Sequence, residues 1–141
     1  MNYSKRYIWI EAEEWLVGSW DCYDVNSDVI VVFPDRSKWV ASLFTYKNIE
    51  TLRQKNIKTG EWMDGSFFWS SDMVLIDFIS RERVEQLINH LIKEDEFQSV
   101  FTRNPDVDME NEEHYPEGLF SRDHYANGDR FLNEHKKRRP T

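Results

Sequence analysis

The chain has 141 residues, 40% hydrophobic and 31% charged, with a formal charge of −8 at pH 7. That length suits one hydrophobic core rather than two, and the apolar fraction is sufficient to build it, which argues against a chain disordered throughout. No run approaches the ~20 apolar residues that span a bilayer, and the acidic balance argues against a surface that neutralises nucleic-acid phosphates.

Met-Asn-Tyr-Ser-Lys-Arg at the N-terminus is not followed by the uninterrupted apolar core of a signal peptide, so a cytoplasmic location is expected. Cys22 is alone, which excludes an internal disulfide and a cysteine-based zinc cluster and fits a reducing compartment. The 21 aromatic residues, six of them Trp, exceed what so small a core needs. Since Trp and Tyr usually keep a polar edge near water, some are expected to line a groove or an interface.

Tyr7 to Ile10 is short, aromatic and β-branched, and reads as a strand. Residues 11–17 fit either a helical turn or an irregular continuation, closed by Gly18. From Asp28 to Phe33 the run Asp-Val-Ile-Val-Val-Phe predicts a central strand buried on both faces. Pro34-Asp35-Arg36-Ser37 supplies turn chemistry, and Lys38 to Tyr46 returns as the second arm of a hairpin. Its alternation places Trp39, Ala41 and Leu43 on one face and Val40, Phe44 and Tyr46 on the other.

Asn48 is a candidate N-cap for a helix from Ile49 to about Thr59, with Gly60 as its stop and only a narrow apolar stripe, Ile49, Leu52 and Ile57, so a surface position is expected. Glu61 to Ser66 reads as an exposed turn around Asp64-Gly65. Asp72 to Ile79 is another strand. Ser80 then caps the clearest helix, in which Val84, Leu87, Ile88, Leu91 and Ile92 recur at core-facing spacing. Glu96 to Thr102 reads as a last strand, with a frayed helical continuation also compatible with its spacing.

Composition changes at Asn104-Pro105: Asp106 to Glu117 carries six carboxylates and no Lys or Arg. The organisation expected is therefore one domain over 1–103 and a polar C-terminal tail over 104–141, with Leu119, Phe120, Phe131 and Leu132 able to dock short segments of the tail. The element order predicts an α+β fold, a mostly antiparallel sheet of about four to five strands with two helices against one face.

Chemistry-bearing patterns are sparse. None of the four histidines, 90, 114, 124 and 135, is spaced to activate Cys22 or a serine, and His90 reads as a partly exposed structural residue. Asp106, Asp108, Glu112, Glu113 and His114, with Asp123 and His124, match neither a calcium loop nor a zinc-binding helix, and read as a solvated charge run. The five glycines are too scattered for a phosphate cradle. No catalytic residue, metal or cofactor is expected; a paired-carboxylate acid/base site drawn from Asp21, Asp24, Asp64, Asp72 or Asp77 stays open as an enzymatic alternative, since sequence gives no distances.

Two mixtures of aromatic and acidic residues remain, Trp20, Asp21, Tyr23 and Asp24 near one turn and Trp62, Asp64, Phe67 and Trp69 near another. Rigid rings supply buried area and carboxylates pair with Lys or Arg, which is the chemistry of protein interfaces; packing in and around a small sheet is the competing explanation for the same rings. In size, acidity, absent catalytic apparatus and surplus aromatics, residues 7 to 103 resemble in type the small acidic bacterial immunity proteins that neutralise a cognate toxin. The resemblance implies a non-enzymatic, stoichiometric inhibitor whose acidic, aromatic surface docks on a basic protein, a toxin domain, without nucleic acid or membrane. The alternative is a small-molecule-binding or regulatory module, with the same rings lining a pocket.

Overall fold

In the computed structural model, which describes residues 5–15 and 20–104, the chain runs β1 (Tyr7–Ile10), α1 (Glu11–Trp15), β2 (Asn26–Val32), β3 (Lys38–Thr45), α2 (Tyr46–Thr59), α3 (Glu61–Gly65), β4 (Met73–Ile76), α4 (Arg81–Lys93), α5 (Phe97–Val100) and β5 (Thr102–Arg103). The fold is α+β, with a five-stranded sheet in the order β1-β2-β3-β4 and β5 also paired to β3. Every pairing is antiparallel except that of β3 with β4. β3 is the hub, pairing β2 on one side and, on the other, β4 through Ser42, Leu43, Phe44 and Thr45 and β5 through Trp39 and Val40.

The hairpin forms where Pro34-Asp35-Arg36-Ser37 places it. Arg36 N–H donates to the Phe33 carbonyl (2.8 Å) and Phe33 N–H to the Ser37 carbonyl (3.1 Å), while Asp35 Oδ1 accepts from Ser37 N–H at 2.8 Å. Its register, Val29 opposite Ala41 and Val31 opposite Trp39, sends Val29, Val31, Trp39, Ala41 and Leu43 to one face, where all are buried. Val84, Ile88 and Leu91 of α4 meet them in a single core that also takes Ile8, Ile10, Ile76, Ile79, Phe97 and Phe101. Each such aliphatic side chain contributes about 1.5–3 kcal/mol by leaving water. Ser80 accepts from Arg83 N–H at 3.1 Å, capping α4 as its sequence predicts.

Two buried arginines tie the N-terminal edge to α4. Arg6 Nε donates to Glu85 Oε1 at 2.9 Å and its Nη2 to Asn89 Oδ1 at 2.5 Å; Arg81 pairs with Glu13 of α1 through Nη2–Oε1 at 2.5 Å.

Several expected boundaries move. Glu96 to Thr102 is not one strand: Phe97–Val100 is a helical turn, and only Thr102–Arg103 joins the sheet. The reason lies in the spacing of Phe97 and Phe101, four apart, whose rings stack at 4.7 Å in a helix, with Phe97 edge-on to Phe33 and Trp39 at 5.4 and 5.5 Å. α2 begins at Tyr46, not Ile49, because Thr45 rather than Asn48 caps it, its Oγ1 accepting from Asn48 N–H at 3.1 Å. Asn48 is buried instead, accepting from Asn26 and donating to Asp24. The strand expected over Asp72 to Ile79 is limited to Met73–Ile76. The ambiguous segment after β1 resolves into α1, with Ala12 fully buried. Gly18 and the tail features from Asp106 onward lie outside the described residues.

Candidate partner-binding surface

α2 ends in a left-handed Gly60 (φ 80) whose N–H bonds the Asn56 carbonyl. After Glu61 the chain returns to the left-handed region through three residues that are not glycine, Trp62 (φ 55), Met63 (φ 51) and Asp64 (φ 58), before Gly65 at φ 75. The tight Asp64-Gly65 turn expected here is thus one turn of left-handed helix. Such backbone costs roughly 1–2 kcal/mol per residue with a Cβ. Gly65 lets this turn lie against α2, since a Cβ there would come within 2.8 Å of the Arg53 carbonyl and 2.9 Å of Ile57 Cγ1. Trp62 offsets the strain by packing on Phe67 (5.3 Å) and Phe68 (4.9 Å), and Phe68 in turn meets Phe44 of β3 at 5.4 Å.

Beyond this aromatic cluster, Phe67, Phe68, Met73 and Leu75, with Ile49 and Arg53 of α2, line a shallow groove of about 210 Å³. It lies on the face of the sheet opposite the α4 core, because Leu75 sits beside Phe44 in register while Val74 and Ile76 alternate inward. The large apolar side chains exposed among the described residues are Tyr23, Tyr46, Ile57, Met63, Phe67, Trp69, Met73 and Leu75. All belong to the turn before β2, to α2 and α3, or to β4 and the segment leading into it.

The eight residues singled out in the sequence divide between the two ends of β4. At its start, Phe67 is 47% and Trp69 62% exposed; Asp64 is exposed and Trp62 half-buried. Beyond its end, the Cys22 carbonyl accepts from Ile79 N–H at 2.8 Å, which brings Tyr23 against Phe78 at 5.3 Å. Trp20, by contrast, turns inward, packing on the core and donating Nε1–H to the Ile79 carbonyl at 3.1 Å. Asp24 anchors α2, accepting from Asn48 Nδ2 (2.9 Å) and Thr51 Oγ1 (2.8 Å), bonds that hold its carboxyl below the ordinary aspartate value. Asp21 is exposed, closes its own turn by accepting from Tyr23 N–H at 3.0 Å and lies 3.9 Å from Lys47 Nζ.

The sequence reading missed Met63, Met73 and Leu75. One signal could have found this surface: between Lys58 and Arg81 the chain carries four carboxylates, Glu61, Asp64, Asp72 and Asp77, and no Lys or Arg. Asp77 is bound by Arg83 through two contacts of 3.0 and 2.8 Å, which hold its carboxyl low, and that guanidinium also covers the Phe78 ring at 4.9 Å. The acidity is local, because α2 turns Lys47, Lys55 and Lys58 along another face and its Arg53, which reaches the groove, pairs with Glu50 at 3.2 Å. No group of three His, Cys, Asp or Glu able to hold a metal ion occurs among the described residues, and no described helix is long and apolar enough to cross a membrane. Comparison with protein-family models, with curated proteins and with solved structures gives no match.

Proposed function

We propose that the protein is a non-enzymatic binding module for another protein, and in its specific form an inhibitor that neutralises a basic toxin by stoichiometric docking. The observation that carries this reading is the placement of exposed rings and thioethers. Phe67, Trp69, Met73 and Leu75 follow one another along a stretch of chain with four carboxylates and no basic residue. Contiguous apolar surface marks interaction sites on soluble proteins, and aromatic anchors ringed by acids favour a partner rich in Lys and Arg. The volume of the ring-lined groove, about 210 Å³, is below the roughly 300 to 1,000 Å³ of ligand pockets and favours a protein partner there; a larger depression of about 580 Å³ runs along polar side chains of α2 and is lined by no ring. Tyr23 beside Phe78 extends the surface beyond the far end of β4, while Trp20 and Asp24 serve the fold.

Affinity capture from the native cell's lysate, with light scattering to read the ratio of the complex, tests this. A single basic protein held in fixed ratio is expected, and lost on Trp69→Ala with Met73→Ala while Tm stays within about 3 °C of wild type, as exposed positions allow. Capture that is indifferent to these two residues, or absent under several growth conditions, overturns the reading.

A further inference from the structure

β4 is an open edge. Asp72 contributes its carbonyl to Ser42 N–H at 2.8 Å, and with Ser42 beside Met73 in a parallel ladder the alternation is fixed. The N–H and C=O groups of Val74 and Ile76 turn toward β3, and those of Met73 and Leu75 turn away from it. Among the described residues, β3 is the one strand paired with β4. Proteins usually blunt such edges with Lys, Pro or a covering segment, yet Met73 and Leu75 present apolar side chains, 37% and 41% exposed. Both also line the groove with Phe67 and Phe68, directly beside their outward backbone groups.

We infer that the partner engages this edge by adding a strand of its own to the sheet, an extended segment with apolar residues at alternate positions and Lys or Arg between or beside them. The inference rests on the protein-binding reading above and specifies the recognition mode. Backbone groups of Met73 and Leu75 supply the pairing, and the groove takes the alternate apolar side chains. Charge selects the occupant. Asp72 precedes the strand and Asp64 lies before it, both exposed, with no Lys or Arg from Thr59 to Ser80; Asp77 at the far end is paired with Arg83, and the groove's Arg53 with Glu50. A second copy of the chain is disfavoured, because it brings the same acid-flanked edge, with no Lys or Arg from Thr59 to Ser80, and so offers Asp64 and Asp72 no cation from that edge. A basic strand meets those carboxylates with opposite charge.

The test uses the full chain and a synthetic heptapeptide of alternating lysine and valine as probe, with amide hydrogen exchange and NMR shifts as readouts. Strand addition predicts at least tenfold slower exchange at Met73 and Leu75 and at least tenfold weaker binding by the same peptide with glutamate for lysine. Of two further versions, N-methylated at the valine or at the lysine amides, one loses binding and the other keeps it, because an added strand uses one edge only. Leu75→Lys, whose side chain lies outside the core, is expected to weaken binding at least tenfold with Tm retained. Free exchange at both amides in the presence of saturating peptide, equal binding of the glutamate version, or indifference to both methylation patterns overturns the inference. A captured natural partner that protects Trp69 yet leaves the Met73 and Leu75 amides exchanging freely would overturn strand addition alone and leave the binding function standing.

Discussion

Arg81, the first residue of α4, holds Glu13 of α1 through Nη2–Oε1 at 2.5 Å and Nε–Oε2 at 3.1 Å, and the same guanidinium donates to the Ile8 carbonyl at 2.8 Å. Both side chains are almost wholly buried, at 2% and 5% exposed. One arginine thereby joins the second layer of the fold to its edge strand. Removing one partner leaves the other charge in a low-dielectric site, so Arg81→Ala is expected to lower unfolding free energy by about 3–5 kcal/mol. Glu13→Gln, which retains an acceptor, should cost less, and Arg81→Met with Glu13→Leu should recover part of the loss. Urea denaturation of the four proteins measures the order. An Arg81→Ala protein as stable as wild type would show that the pair is idle.

Asp24 predicts an acid sensitivity. Its folded pKa is depressed by the hydrogen bonds from Asn48 and Thr51, so its stabilising contribution is complete above the unfolded aspartate value of about 3.9 and is lost as pH falls through the depressed folded value. Asp24→Ala should therefore destabilise the protein at neutral pH by about 1–2 kcal/mol through two lost side-chain bonds. The gap between variant and wild type should narrow below roughly pH 4. Thermal melts across pH 3 to 7, in steps of about one unit, read the narrowing; a gap that widens in acid contradicts the assignment.

Met63, 74% exposed at φ 51, should reverse the usual effect of glycine. Met63→Gly removes a left-handed cost of roughly 1–2 kcal/mol against an entropic penalty of about 0.5–1, giving a net gain of up to about 1.5 kcal/mol. Chemical denaturation decides it, and a loss of stability would show that the Met63 side chain makes contacts that outweigh its backbone strain.

Gly65→Ala should act in the opposite direction. A Cβ would meet the Arg53 carbonyl at 2.8 Å, backbone that cannot swing aside, at a φ of 75 unfavourable to alanine. A loss of about 1–3 kcal/mol is expected, together with weaker binding at the groove that Gly65 helps to line. Calorimetry supplies the first and titration with the lysine-valine peptide the second; an unchanged Tm would refute the close approach of α3 to α2.

The parts of the fold legible in the sequence are those where one local pattern admits one solution. The stripe of Val84, Ile88 and Leu91 admits only a helix with a buried face, and Ser80 ahead of it fixes the start. Pro34-Asp35-Arg36-Ser37 between two β-rich runs admits only a hairpin. Spacings that serve two structures were not decided locally: Phe97 and Phe101 suit a strand or a helix, and contact with Phe33 and Trp39 selects the helix.

The candidate surface was half legible for the same reason. Aromatic and acidic residue types mark a capacity for binding, so Phe67, Trp69 and Tyr23 stand out in the sequence and are exposed in the structure. Nothing local distinguishes Trp20 from Trp69, yet a hydrogen bond to the Ile79 carbonyl draws one inward while the other remains 62% exposed. Met73 and Leu75 read as interior strand residues; the parallel pairing of β4 to β3 leaves them at the sheet's open margin, because a strand's edge is a property of its neighbours. Sequence by itself determined the helix over α4, the paired hairpin and the acidic, aromatic character of one stretch, all set by interactions within a few residues. Tertiary structure alone decided which rings face water and which strand, among the described residues, is paired on one side only, since exposure depends on what residues distant in the chain bring to the other side.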